Sequence, residues 1–149
     1  MNSRRALLPV CVAGALLTGG CGSTSLSLKD LRQDATAVCQ TAARRTARIA
    51  APATPSETSA FLAAGLTALT PELHDLRALA PPAAQAGPFR TATGALAQSL
   101  ELLRQARTAI AHGTDAAAAV RGLQSSLAPV QARGNSAWQQ LGIPDCVSS

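Results

Sequence analysis

The stretch LKDLRQDATAVCQTAARRTARIA, residues 28–50, decides the fold. Leu28, Leu31, Ala35, Val38, Ala42 and Ile49 recur mostly three or four residues apart, so on a 3.6-residue helix they line up as one apolar stripe. Arg32, Gln33, Gln40, Arg44 and Arg48 fall on the opposite face. Such a helix has water on one side and needs an apolar partner on the other.

Working outward, the same periodicity returns three times. Thr54, Pro55, Ser56 and Glu57 read as an N-cap, a first-turn proline and the reciprocating glutamate of a capping box. They lead into a stripe of Leu62, Leu66, Leu69, Leu73, Leu76 and Ala80. Pro71 lies inside that run. It removes one backbone donor and crowds the preceding turn, but the phase continues through it, which predicts one kinked helix. A third helix is expected from about Phe89 to Ala111, with Phe89, Leu96, Leu100, Leu103 and Ile110 inward. HGTD, residues 112–115, reads as a stop and restart: Gly113 suits a helix C-terminus and Thr114 or Asp115 suits a cap. The fourth stripe is Val120, Leu123, Leu127, Val130, Ala137 and Leu141, interrupted by Pro129 as the second is by Pro71. No stretch alternates with period two for long enough to make a sheet. The expected class is all-α, an up-down-up-down four-helix bundle with helices two and four kinked at proline.

The N-terminus has a different organisation. Arg4 and Arg5 precede an uncharged run from Ala6 to Gly20, shorter than the roughly 20 residues a membrane-spanning helix needs. A charged start, a short apolar run and a small-residue exit are the parts of a secretory signal. Cys21 stands where the run ends, and LLTGGCGS (residues 16–23) resembles the box of a bacterial lipoprotein signal. Gly19 and Gly20 match the small residues before the cysteine, and Thr18 departs from the usual leucine. The resemblance implies diacylglycerol on the Cys21 thiol and cleavage before it, giving a two-chain anchor strong enough to hold on a membrane. Cys11 lies inside the apolar run behind Pro9 and Val10, away from such a box. The expected organisation is a signal over 1–20, the lipidated cysteine and a serine-rich tether over 21–27, and the bundle over 28–149.

Composition narrows the function classes. Loss of residues 1–20 removes two of the 13 basic residues and none of the 8 acidic ones, leaving a mildly basic domain. The basic residues are not interleaved with aromatic rings, so nucleic acid is not an expected partner. Phe61, Phe89 and Trp138 are the aromatic residues, and tyrosine is absent; clefts for carbohydrate or peptide draw on more rings than that. Cys39 and Cys146 remain as an even pair in an exported chain, which points to a disulfide. Eleven residues separate Leu28 from Cys39, a climb of roughly 16 Å, so the tail GIPDC must turn back along the first helix to bring the pair together. Gly142 and Pro144 offer the turn, and Gly134 an earlier place for the fourth helix to loosen.

The remaining chemistry-bearing residues are scattered. His74 and His112 have no second His or Cys at ligand spacing, although Glu72 and Asp75 flank His74, and no metal or cofactor is expected. The serines sit in the tether, caps and tail, with no acid–base partner in register, and no enzyme activity is expected. Trp138 reads as core packing, and Arg44, Arg45 and Arg48 as a solvated face.

LTGGC, LRALAPPAA, HGTD and LGIPDC together resemble uncharacterised small α-helical lipoproteins of actinobacteria, a likeness in keeping with twelve arginines beside the single Lys29. It implies an extracytoplasmic, membrane-anchored envelope protein whose known functional position is Cys21, with Cys39 and Cys146 as the expected disulfide. The expected function is non-catalytic, through contacts with an envelope protein. The alternative is a carrier holding a small apolar ligand in a cavity opened by the proline-bearing helices.

Overall fold

The first helix, α1, spans Leu28–Thr46. The computed structural model describes residues 25–147, so the expected signal over 1–20, with Cys11, and Cys21 lie outside the described residues. Ser27, counted with the tether, caps α1. Its Oγ accepts from the Asp30 amide at 3.1 Å and donates to Asp30 Oδ2 at 2.6 Å, and the Asp30 carboxylate complements the positive end of the helix dipole. Leu26 also belongs to the fold: its amide donates to the Ala80 carbonyl at 2.8 Å. The buried stripe is Leu31, Ala35, Cys39 and Ala42, with Val38 half-buried. α1 ends before the expected Ala50: past Thr46 the amides of Arg48 and Ile49 bond the carbonyls of Arg45 and Thr46 at 3.3 and 2.9 Å, in tight turns that do not continue the helix. Ile49 therefore sits in the following turn.

The second helix, α2, spans Thr58–Ala78 behind a 3₁₀ turn over Pro55–Glu57. The capping box takes a different form from the expected one. Glu57 Oε2 accepts from the Ala53 amide at 2.7 Å, and the Thr54 hydroxyl pairs with Ser56 Oγ at 2.9 Å. The tighter turn led by Pro55 carries the glutamate past Thr54. Pro71 does not break the helix. Around it the hydroxyls of Thr67 and Thr70 donate to Ala63 and Leu66 carbonyls one turn back, at 3.0 and 2.7 Å.

The third helix, α3, spans Ala86–Ala111, opening three residues before Phe89, with Pro88 in its first turn where a missing donor costs little. Gly113, at φ +93°, ends it. Asp115 Oδ1 then accepts from the Ala118 amide at 2.9 Å, starting the fourth helix, α4, over Ala116–Leu141. Pro129 lies within α4, which likewise runs on unbroken.

The described residues contain no strand, and the four helices pack as a bundle in which α1 meets α2, α2 meets α3, and α3 meets α4 most extensively. The α3–α4 contact is close because Gly134 is buried there: a Cβ on it would lie 2.9 Å from Ala95 Cβ. Gly134 thus permits tight helix approach and does not loosen α4. The core forms two clusters. One joins Leu31, Leu76, Phe89, Trp138, Leu141 and Ile143, with Phe89 and Trp138 edge to face at 5.9 Å. The other joins Leu62, Ala106 and Leu123 and draws only on α2, α3 and α4. α1, with 19 residues against 26 in α3, is shorter by roughly 10 Å.

The tail closes the α1–α4 seam. Gly142 takes φ +69°, and the amides of Gly142 and Ile143 bond Gln139 and Trp138 carbonyls at 3.0 and 3.1 Å, which ends α4 and reverses the chain. Ile143 is fully buried. Arg32 Nε donates to the Leu141 carbonyl at 2.7 Å, and Gln40 Nε2 to Asp145 Oδ1 at 3.0 Å. Those eight residues of α1 rise roughly 12 Å, so the tail runs back along the helix as its spacing demanded. Cys39 and Cys146 meet at disulfide distance, with Cα atoms 5.1 Å apart.

Candidate functional site: a cleft with one desolvated carboxyl

Between the two core clusters, under the tail, the helices leave a cleft of about 300 Å³. Its origin is in the sequence. Ala42, Ala43, Ala92, Ala95 and Gly134 put small side chains on facing helices, and α1 stands off α4 with the tail bridging them. Leu69, Leu96 and Trp138 supply larger apolar walls, and Ser99, Gln131 and Asn135 supply polar ones. The Thr46 and Ser99 hydroxyls are committed to carbonyls of their own helices.

Glu72 is the distinctive residue of this wall. It follows Pro71 on α2, three residues beyond Leu69 and four before Leu76, on the apolar side of the helix. Burial pushes its carboxyl up from the ordinary 4.5 to about 7, because a partly dry environment disfavours the charged form. Among the described residues it makes no hydrogen bond or ion pair to offset that. The sequence reading passed over Glu72 except as a neighbour of His74. The available signal was its spacing: a carboxylate in register with a leucine stripe is a charge placed on the inward face.

The expected site residues are distributed as follows. Cys39 and Cys146 are brought together and border the cleft. Cys21 lies outside the described residues. His74 is exposed, with Nδ1 3.2 Å from Asp75 Oδ1, and His112 is an exposed cap of α3. Among the described residues no three His, Cys, Asp or Glu side chains gather as metal ligands would. Trp138 is buried against Phe89. Arg44 and Arg45 occupy the last turn of α1, roughly 25 Å from the end where the chain arrives from Cys21. A second depression, about 460 Å³ and shallower, lies between Arg77 and Arg90. The cleft under the tail is the better site despite its smaller volume, because all four helices and the tail wall it and it holds a desolvated carboxyl.

Among the described residues no helix is long and apolar enough to cross a membrane. Compared with known proteins, the chain matches no family model, no curated protein and no solved structure.

Proposed function

We propose that the chain is an exported lipoprotein, held on the extracytoplasmic face of the membrane by lipid on Cys21, whose helical domain acts by binding without catalysis. The observation that carries this reading is the Cys39–Cys146 pair at disulfide distance across 107 residues. Structural disulfides persist in oxidising compartments, and once a signal over 1–20 takes Cys11 with it, pairing these two leaves Cys21 as the odd cysteine at the end of an apolar run. Replacing Cys21 with serine is expected to release the protein from the membrane fraction or to leave its signal uncleaved. Unchanged mass and membrane association in that variant overturn the anchor.

Two modes of binding were expected, through protein contacts or as a carrier of a small ligand, and the cleft favours the carrier. Its volume stands at the lower end of the range for small-molecule sites, about 300–1,000 Å³. Among the described residues Phe61, 38% exposed, is the large apolar side chain offered to solvent, and a single ring gives a protein partner little area to bury. Cross-linking in intact cells checks this: one dominant protein neighbour joined through the Phe61 face would restore the protein-contact reading.

A further inference from the structure

The cleft differs in sign from the chain that forms it. The sequence carries a formal net charge of +5, yet among the described residues the charged ones on the cleft wall are Glu72 and Asp145, with no lysine or arginine beside them. The described residues that share the cleft wall with Glu72 from α1, α3 and α4 are uncharged, among them Thr46, Ser99 and Gln131, and the tail adds Asp145. Asp145 is exposed and already accepts from Gln40, whereas Glu72 is largely buried and has no partner among the described residues.

A carboxyl that has no donor from the described residues and meets only the water in the cleft, beside the apolar Leu69, Leu96 and Trp138, has a definite chemical complement. An anion is repelled by two carboxylates. A neutral hydrocarbon fits the leucines but strips more water from the carboxyl, which is costly when nothing replaces that water. An organic ammonium satisfies both halves: its N–H groups make charge-assisted bonds to the carboxylate while its body covers the apolar wall. We propose that this cleft binds a small primary amine in its protonated form, with the ammonium on Glu72 and the apolar body along Leu69, Leu96 and Trp138. This assignment rests on the ligand-carrying reading and gives it a substrate class.

The single tryptophan lines the cleft and reports binding directly. The full chain, purified from membranes in a non-ionic detergent, is titrated with hexylamine, hexan-1-ol and hexanoate while Trp138 emission is followed. The same titrations on Glu72→Gln in the same detergent subtract partition into micelles. Hexylamine is expected to bind saturably and about tenfold more tightly than the other two near pH 8, and about tenfold more weakly in Glu72→Gln. Its affinity is expected to fall between about pH 8 and pH 6, as Glu72 takes up a proton while the amine, with a lysine-like pKa near 10, stays charged. Helical circular dichroism verifies that the variant is folded, and the pH pair on the unmodified chain decides the matter even if it is not. Equal binding of hexylamine and hexan-1-ol, or an amine affinity indifferent to both Glu72→Gln and pH, overturns the amine assignment and leaves the carrier standing. No saturable response to any of the three compounds overturns both.

Discussion

Glu72 is a single carboxyl whose placement sets how the stability of this fold depends on pH. Its folded pKa, about 7, stands above the ordinary 4.5, so between those values the folded chain holds a proton that the unfolded chain has released. Folding carries no penalty from this group below about pH 4.5 and the full penalty above about pH 7, up to about 3 kcal/mol, with stability falling as pH rises between them. Glu72→Gln keeps the shape and removes the charge. The variant is expected to melt close to the unmodified protein near pH 5 and several degrees higher near pH 8, by thermal circular dichroism at the two values. A melting difference that does not grow with pH would mean that water reaches the carboxyl freely.

Among the helices, α3 and α4 make the most extensive contact, and its closeness depends on one glycine. A methyl on Gly134 would meet Ala95 Cβ at 2.9 Å, inside any real contact, so one helix must move away. Gly134→Ala is expected to cost about 1–3 kcal/mol, as overpacking does. Gly122 is also inside α4, but a Cβ there meets nothing within 4 Å, and Gly122→Ala should gain up to about 1 kcal/mol from helix propensity alone. Chemical denaturation of the two variants separates packing from propensity, since the substitution is the same and only the neighbour differs. Equal effects of the two would show that α3 and α4 approach less closely there.

For the molecule as a whole, the tail and its cysteine pair decide how the bundle closes. α1 and α4 meet chiefly through Ile143, the Arg32 bond to Leu141 and the Cys39–Cys146 link. A cross-link closing 107 residues is worth about 4–5 kcal/mol in the chain-entropy account. Reduction is therefore expected to lower the melting temperature substantially while helicity at room temperature persists, because helix capping and the Leu62–Ala106–Leu123 cluster do not depend on it. Free-thiol labelling of both cysteines in the unreduced protein would contradict this closure. The cleft lies beneath the same tail, so reduction is also expected to weaken whatever ligand it holds.

The sequence by itself determined what is local. Period-3.6 stripes gave four helices, HGTD gave the α3–α4 turn, and Gly142 with Pro144 gave the reversal of the tail; each depends on residues within a few positions of one another. It also identified Cys39 and Cys146 and the need for the tail to return to α1, because helix rise per residue is a fixed length. Tertiary structure decided the rest. That Gly134 is a point of close approach depends on Ala95, 39 positions earlier in the chain, which no pattern within α4 reveals. The cleft itself arises from small side chains on separate helices failing to fill the space between two core clusters, and only that arrangement makes Glu72 a desolvated acid instead of one more charge on a helix.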